Sequence, residues 1–161
     1  MIIGVVSDSH DNCPAIDEGV RYLKERKVEH LLHAGDIVSP FAAKRFLAFG
    51  GPMSFVYGNN DGERHGLAHI LTDIAPPPRT VELAERVILL AHDRSRVQPS
   101  QTVGADLVIF GHDHEARVVE PEGAGEAPVE LNPGELGGWV TGRKTLAVVD
   151  LDSMEIEIVE L

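Results

Sequence analysis

The chain contains short, almost unbroken apolar runs, each of which ends in polar residues. The first run, Ile-Ile-Gly-Val-Val at positions 2–6, is followed at once by Ser-Asp-Ser-His. Such a run is typical of a strand buried on both faces of a layered α/β domain, whose ligands bind beyond the carboxyl ends of the strands. Side chains two apart on an extended chain point the same way, so Asp8 and His10 are predicted to converge on one metal ion.

Strands and helices alternate through the first part of the chain. Apolar residues at helical spacing predict a helix from Pro14 to about Arg26. Further apolar runs predict strands at 28–34 and 53–57, and Ser39-Pro40 predicts the start of a helix that ends at Gly50-Gly51. This order of strand, helix, strand, helix, strand is typical of parallel strands joined by right-handed crossovers.

The later elements are shorter and change in character. We predict a third helix at 67–74, stopped by Ala75-Pro76-Pro77-Pro78, and either a loop or one helical turn at 95–101. Strands are predicted at 80–83, 87–91, 106–110, 116–119, 129–131, 145–151 and 154–159, with a loop at 121–128. This pattern predicts one largely parallel sheet and one more antiparallel sheet, with helices outside.

Composition and charge narrow the classes of protein. The 161 residues are 43% hydrophobic and 25% charged, with no internal repeat or linker, which predicts one domain over 1–161. No apolar run approaches the roughly 20 residues of a membrane span, and Met1 leads straight into the first strand, so we expect a cytoplasmic protein. The single cysteine, Cys13, excludes an internal disulfide. The net charge of -12 disfavours long nucleic acid but permits a small phosphorylated substrate if metal cations reverse the local charge.

Polar residues of one chemical kind follow five of the predicted strands. They are Asp8 and His10, then Asp36, Asn59, His92, and finally His112 and His114. Taken singly, Gly-Asp and Asn-Asn pairs are typical of ordinary turns. Two histidines two positions apart are instead typical of neutral metal ligands. The remaining histidines follow no strand end and are assigned to packing or to the surface: His30, His33, His65 and His69.

These seven donors comprise two carboxylates, one amide oxygen and four imidazoles. Seven are too many for one tetrahedral zinc ion, but they divide between two ions if one carboxylate bridges them. The mixture suits first-row divalent metals better than calcium, and two such ions about 4 Å apart could clamp a phosphoryl group and lower the pKa of a bridging water. The residues therefore predict phosphoester hydrolysis.

The order and spacing of these motifs resemble the calcineurin-like metallophosphoesterase superfamily. The motifs are Asp8-x-His10, Gly35-Asp36, Gly58-Asn59-x-Asp61, His92 and Gly111-His112-x-His114. The small size and Asn132-Pro133-Gly134 are similar to its single-domain YfcE-type phosphodiesterase branch.

This resemblance implies a four-layer α-β-β-α sandwich of two mixed sheets flanked by helices. It also implies that Asp8, His10 and His114 hold one divalent metal, that Asn59, His92 and His112 hold the other, and that Asp36 bridges them. A hydroxide between the metals would attack phosphorus in line. Manganese is the favoured metal; nickel, cobalt, iron or zinc suit the same donors. Related small members often dimerise, so a homodimer is an expectation by analogy.

The chain departs from the usual pattern beside the metal-binding asparagine. Many members carry a histidine there, whereas this chain has Asn60, which can donate a hydrogen bond but cannot give up a proton. We expect activated aryl phosphodiesters to be cleaved and unactivated alkyl monoesters to be cleaved slowly. Asp61 is expected to orient its neighbours.

Two further departures could affect the charge of the site. Asp93 follows His92, and Glu135 follows Asn-Pro-Gly, so either could place a carboxylate near the site and repel an anionic substrate. Three loop arginines, Arg64, Arg94 and Arg96, could offset this by binding phosphate, although solvated surface arginines are the simpler interpretation.

The sequence also allows two alternative functions. One is a protein-interaction scaffold of the same fold, as in a retromer subunit with a degraded metal site, but all seven ligand positions are intact here. The other is a nuclease or cyclic-nucleotide phosphodiesterase. Action on polymers is disfavoured by the acidic charge and by the absence of a basic stretch with interspersed aromatics, while short oligonucleotides and cyclic nucleotides remain open.

Overall fold

The computed structural model of the protein describes residues 1–121 and 127–161. The strands are β1 (Ile2–Val6), β2 (His30–His33), β3 (Met53–Val56), β4 (Ile74–Ala75), β5 (Arg79–Leu83), β6 (Arg86–Leu90), β7 (Leu107–Ile109), β8 (Arg117–Val119), β9 (Val129–Asn132), β10 (Thr145–Asp150) and β11 (Glu155–Glu160). The helices are α1 (Cys13–Glu25), α2 (Pro40–Phe46) and α3 (Arg64–Ile70), with 3-10 turns at Leu47–Phe49, Arg94–Arg96 and Pro99–Gln101.

The strands form two mixed sheets. The first has the order β11-β10-β1-β2-β3-β4, in which β1 to β4 are parallel and the terminal hairpin β10-β11 adds antiparallel strands beside β1. The second has the order β5-β6-β7-β9-β8, with parallel pairs in the centre and antiparallel pairs at both edges. Each sheet is therefore mixed, and the hairpin predicted at 145–159 joins the first sheet.

Two apolar layers hold the sandwich together. Between the sheets lie fully buried side chains from both, including Ile3, Val5, Ile88 and Ile109. On the outer face of the first sheet, α1, α2 and α3 cover a second cluster that includes Phe46. β1 contributes to both layers, as its apolar run predicted, and the α/β fold of two mixed sheets with flanking helices is confirmed.

The outer face of the second sheet is covered differently. Its cluster contains Val97, Val108 and Phe110, and the segment over it consists of the 3-10 turns at Arg94–Arg96 and Pro99–Gln101. The segment 95–101, which the sequence left open between a loop and a helical turn, is thus two short turns. The fourth layer of the sandwich is correspondingly thin.

The prediction for the third helix was wrong at both ends. It begins at Arg64 and ends at Ile70, rather than spanning 67–74. Ile74 and Ala75 instead pair with β3 as a parallel edge strand. The carbonyls of Asp73 and Ala75 accept hydrogen bonds from the amides of Phe55 and Tyr57. Backbone pairing with an open sheet edge is available only in the folded protein, so it outweighs the local helical pattern.

Two further predictions concern membrane-spanning helices and the loop at 121–128. No helix among residues 1–121 and 127–161 is long and apolar enough to cross a membrane. Of the loop predicted at 121–128, residues 122–126 lie outside the described residues.

His33 at the end of β2 is buried as a neutral side chain. Its Nδ1 accepts a hydrogen bond from the Gly35 amide at 3.1 Å, which leaves Nε2 to donate to Ser9 Oγ at 3.2 Å. The ring also packs against Phe46 and Phe55. Burial lowers the pKa of His33 to about 3, because a charged imidazolium would lose its hydration here.

This burial predicts a pH dependence of stability. The unfolded chain takes up a proton on His33 below about pH 6.5, whereas the folded chain does not until about pH 3, so the contribution is lost as pH falls through that window. In urea titrations of chelator-treated protein between pH 6.5 and 4, the free energy of unfolding should fall by about 1.4 kcal/mol per pH unit more steeply in the wild type than in His33→Gln. The exposed His69→Gln variant should keep the wild-type slope, and an equally steep slope in His33→Gln would contradict the assignment.

Candidate metal centre

Five loops that follow strands of both sheets meet at one edge of the sandwich. They follow β1, β2, β3, β6 and β7 and carry, in that order, Asp8 with His10, Asp36, Asn59, His92, and His112 with His114. Backbone hydrogen bonds join the loops: the Asp8 amide donates to Gly35 at 3.0 Å, and the Gly111 amide donates to His92 at 2.9 Å. The structure therefore brings the predicted residues to one place.

The backbone at these residues is left-handed rather than extended. Positive φ angles occur at Asp8 (51°), His10 (40°), Asp36 (63°), His112 (74°) and His114 (64°). The expectation that Asp8 and His10, or the two histidines, converge because they alternate along a strand was therefore wrong in its reason. They converge because the chain turns sharply after each strand, in a conformation that aspartate and histidine tolerate better than most residues.

Asp8, His10 and His114 form a compact group whose side-chain donor atoms lie within 4.8 Å of one another. Asp8 Oδ1 lies 3.4 Å from His114 Nε2 and 3.7 Å from His10 Nε2. The other carboxylate oxygen, Oδ2, is occupied by hydrogen bonds from the Ser7 hydroxyl at 2.6 Å and the His112 amide at 3.0 Å. Asp8 is thus held by one oxygen while it presents the other to the two imidazoles.

Two atoms of this group lack hydrogen-bond partners. Asp8 Oδ1 and His10 Nε2 are both buried, and no hydrogen bond is made to either by the described residues. Leaving buried polar atoms unpaired is unfavourable, and each of these two has a lone pair that suits a cation. A divalent metal therefore fits this group on its chemistry.

Asp36 lies between this group and a second set of donors. Its Oδ2 is 3.6 Å from His10 Nε2 and 3.4 Å from His92 Nε2, and Asp8, Asp36 and His92 again place donor atoms within 4.8 Å. Asn59 Oδ1 contacts His92 Nε2 at 2.8 Å. Asp36 thus occupies a position from which one carboxylate can serve two neighbouring cations.

His112 lies at the margin of the second set. Its ring packs against that of His92 with 5.1 Å between centroids, but it belongs to neither compact group of three. Its Nε2 is 3.9 Å from Asp93 Oδ2, and 45% of its side chain is exposed. Of the seven predicted ligands, His112 and Asn59 are the two that are exposed to solvent.

Hydrogen bonds fix which nitrogen of two histidines faces the centre. His92 Nδ1 lies 2.8 Å from the carbonyl of Ala34, which can only accept, so Nδ1 carries the hydrogen. His114 Nδ1 likewise lies 2.9 Å from the Glu135 carboxylate. Both rings therefore turn the lone pair of Nε2 towards the carboxylates, an arrangement typical of metal-ligating histidines.

The charges of the carboxylates and imidazoles stabilise one another. Burial raises the pKa of Asp36, but hydrogen bonds and charge from His92 and hydrogen bonds from Asn60 outweigh it and hold that pKa well below its usual value. The pKa of Asp8 is lowered in the same way, by His10 and Ser7 against burial. In return Asp8 raises the pKa of His10, and Asp36 raises that of His92 despite its burial. The carboxylates are ionised at neutral pH, and a cation bound here would compete with protons for the imidazole nitrogens.

Asn60 and Asp61 hold the Asp36 loop in place. Asn60 donates twice to Asp36, from its amide nitrogen to Oδ1 at 2.8 Å and from Nδ2 to Oδ2 at 2.7 Å. The buried Asp61 carboxylate accepts from the amides of Asp36 at 3.0 Å, Val38 at 2.7 Å and Gly58 at 2.7 Å. In the structure both residues contact the loop that carries Asp36 rather than open space.

Gly58 and Gly111 allow the carboxylates to lie this close to the backbone. A Cβ atom at Gly58 would overlap the Asp36 side chain, and one at Gly111 would overlap Ser7 and Asp8. Any side chain at either position would push a carboxylate away, so the Gly-Asn and Gly-His motifs contribute space as well as ligands.

Glu135 has a role that the sequence did not reveal. It is fully buried, and besides His114 it accepts hydrogen bonds from the amides of Trp139 and Val140, each at 3.0 Å, and from Thr141. Glu135 thus places a carboxylate beside the proposed ligand His114, as the sequence predicted, and its oxygens accept hydrogen bonds from these groups. The one sign of this role in the sequence was an acidic residue directly after Asn-Pro-Gly. Its effect on an anionic substrate stays a prediction.

The three arginines considered as phosphate ligands lie in different environments. Arg94 pairs with Glu130 at 2.7 Å, and Arg96 pairs with Asp93 at 3.2 Å. Asp93 therefore lies beside His112, as the sequence predicted, and its carboxylate is paired with Arg96. Arg64 and Arg96 line a cleft that opens next to Asn59 and His92.

Comparisons with known proteins point to one family. The sequence matches the model of the calcineurin-like phosphoesterase superfamily domain over residues 1–154. It is 33% identical over 163 residues to Phosphodiesterase MJ0936 of Methanocaldococcus jannaschii, covering 96% of each chain.

Solved structures agree with this result. A structure described as a novel archaeal phosphodiesterase superposes with a TM-score of 0.89 and 31% identity over 100% of both chains. Yfce, a phosphoesterase from E. coli, superposes with a TM-score of 0.74 over 99% of this chain and 98% of its own, at 20% identity, and so supports the fold.

The contact between Glu135 and His114 predicts an effect on metal affinity. Glu135→Gln keeps the shape of the side chain but removes the charge that fixes the His114 ring, so manganese affinity should fall by about 10- to 100-fold. Competition with a fluorescent chelator would measure this, with melting temperature as a check on folding. Glu130→Gln removes a carboxylate from outside the centre and should bind manganese as the wild type does; equal affinities in both variants would refute the role of Glu135.

Proposed function

The chain belongs to the calcineurin-like phosphoesterase superfamily, and we propose that it is a dinuclear metal-dependent phosphodiesterase that hydrolyses a small phosphoester. The observation that carries this proposal is the position of Asp36 Oδ2, which lies within 3.6 Å of His10 Nε2 and 3.4 Å of His92 Nε2. A carboxylate placed between two sets of nitrogen and oxygen donors is suited to bridge two cations.

We assign the donors to two divalent ions. Asp8, His10 and His114 would hold one, and Asn59, His92 and His112 would hold the other, with Asp36 shared. The unpaired Asp8 Oδ1 and His10 Nε2 support the first set, and the contact between Asn59 Oδ1 and His92 Nε2 supports the second. Manganese remains the favoured metal, because imidazole and carboxylate accept it along with nickel, cobalt, iron and zinc.

The residues around the donors prepare the site for reaction. Two such cations supply a water of lowered pKa and positive charge beside the phosphoryl oxygens. Asn60 and Asp61 hold the Asp36 loop, while Ala34 and Glu135 fix the rings of His92 and His114. Because hydrogen bonds within the fold fix these orientations, little rearrangement is needed during the reaction.

The position of Asn60 supports a preference for good leaving groups. Its side-chain amide is committed to Asp36 and cannot release a proton at neutral pH. A leaving oxygen that must be protonated as it departs therefore has no acid at this position. Aryl diesters, whose leaving groups are stable as anions, suit such a site better than alkyl monoesters.

The donor set also weighs against a protein-interaction scaffold as the main role. A scaffold has no need for buried carboxylates with low pKa values beside oriented imidazoles. The proposed enzyme acts on a small phosphoester in the cytoplasm, and a homodimer stays an expectation by analogy.

Loss of the shared carboxylate should abolish activity. Asp36→Asn removes one negative charge from between the two cation sets, so turnover of bis(4-nitrophenyl) phosphate with manganese should fall at least about 100-fold. Chelation should abolish wild-type turnover, and added manganese should restore it. Asp17→Asn, which alters an exposed carboxylate on α1, should stay at the wild-type rate. An Asp36→Asn enzyme as active as Asp17→Asn would overturn the proposal.

The leaving group should control the rate. With manganese supplied, bis(4-nitrophenyl) phosphate should be cleaved at least about 100-fold faster than glycerol phosphate, because the site lacks an acid for the leaving oxygen. An Asn60→His variant should narrow this difference. Equal or faster wild-type turnover of glycerol phosphate would contradict the argument from Asn60.

A further inference from the structure

A cleft adjoins the centre on the side of Asn59, His92 and His112. Its volume is about 320 Å³, and its outer wall combines apolar and aromatic side chains with cations: Tyr57, Pro77, Pro78, Val97, Arg64 and Arg96. The lining of the cleft thus combines three proposed metal ligands with residues that have no part in metal binding. A phosphoester held at the centre could place one of its arms here.

Arg64 differs from every other arginine among residues 1–121 and 127–161. Each of the others has a carboxylate oxygen within 4.0 Å, whereas Arg64 makes no such ion pair with a described residue. This matters in a chain with 26 acidic residues and a net charge of -12. In the cleft, the charge of Arg96 is offset by Asp93, so Arg64 is the arginine of the cleft that has no carboxylate partner within the described part of the chain.

The Arg64 side chain is nevertheless held in place. Its Nε donates to the carbonyl of Asp61 at 3.2 Å, and its guanidinium lies 4.9 Å from the centre of the Tyr57 ring. Asp61 is in turn anchored by the amides of Asp36 and Gly58. The guanidinium is therefore tied to the loops that carry the proposed ligands, and its two terminal nitrogens donate no hydrogen bond to any residue that the structure describes.

We propose that Arg64 is a specificity-determining residue that binds a second phosphate group, carried on the arm of the phosphodiester that lies in this cleft. The inference rests on the proposed function, since the centre must hold the first phosphate. A planar guanidinium can donate two parallel hydrogen bonds to phosphate oxygens, which makes it selective for such a group. The apolar and aromatic side chains in the same lining suit a ring or sugar linking the two phosphates.

Binding can be tested without hydrolysis. Thymidine 3′,5′-bisphosphate and thymidine 5′-monophosphate differ only in the second phosphate, and calorimetry on the manganese-loaded protein measures both affinities. The wild type should bind the bisphosphate about tenfold more tightly, as expected for one charge-assisted contact. Arg64→Gln should lose this preference, and Arg64→Lys should keep part of it because it retains the charge without the planar fork.

A matched control separates local contact from overall charge. Arg45→Gln removes a cation that pairs with Asp17 on the helical face, and it should keep the tenfold preference. Melting temperatures of all three variants near that of the wild type would exclude unfolding as the cause. A preference that survives in Arg64→Gln, that is lost equally in Arg45→Gln, or that is absent from the wild type would overturn the proposal.

Hydrolysis of matched esters separates this proposal from the function beneath it. The substrates are the 4-nitrophenyl ester of thymidine 5′-phosphate with and without a 3′-phosphate. Turnover of the esters without an Arg64-dependent preference for the 3′-phosphate would support the proposed phosphodiesterase and refute the subsite. An Arg64-dependent binding preference without turnover of either ester would support the subsite and refute the phosphodiesterase. Absence of both would refute both.

Discussion

The candidate centre depends on the left-handed backbone that follows its strands. A residue other than glycine in this conformation is under strain, of the order of 1 kcal/mol or more at each position. Five of the seven proposed ligands adopt it: Asp8, His10, Asp36, His112 and His114. Without these turns the side chains after β1 and β7 would continue to alternate across the sheets. The strain is offset by hydrogen bonds between loops, such as those from the amides of Asp8 and His10 to the carbonyls of Gly35 and Asp36.

The same loops keep two buried carboxylates close together. Asp8 and Asp36 share a region that excludes water, where burial alone would favour their protonated forms. Neighbouring groups fixed by the fold reverse that preference: His10 and Ser7 lower the pKa of Asp8, and His92 and Asn60 lower that of Asp36. The Asp61 carboxylate accepts hydrogen bonds from backbone amides, so it fixes the loops without adding another hydrogen-bond acceptor to the centre. The result is concentrated negative charge that is held in place and directed at neighbouring imidazoles.

The identity of the clustered residues could be predicted from the sequence because strand ends in such sheets face one edge. That rule needs only the apolar runs, and it placed Asp36 and His92 together although they are distant in the chain. It could not reveal the turns, since nothing in Ser7-Asp8-Ser9-His10 distinguishes an extended from a left-handed path.

Contacts made only on folding were equally hidden from the sequence. Ile74 and Ala75 leave the predicted helix because β3 offers them an unpaired edge. The sequence placed Glu135 near the site from its position after Asn-Pro-Gly, but it could not reveal the amides of Trp139, Val140 and Thr141 that surround its carboxylate in the folded chain. Each difference arises from a partner that is remote or invisible in the local sequence pattern.

The distribution of charge constrains the order in which ligands can bind. With a net charge of -12 and ionised Asp8 and Asp36 at the centre, the protein repels a phosphoester until cations are present. Asp8 and Asp36 raise the pKa values of His10 and His92, so protons and metal cations compete for the same imidazole nitrogens. Arg64 lies outside this balance, so its attraction for an anion is available with or without metal. Binding of the reacting phosphate should therefore require metal, whereas binding of a charge on the other arm of the substrate should require only the protein. The groups that provide catalysis are thus separate from the group that provides selectivity.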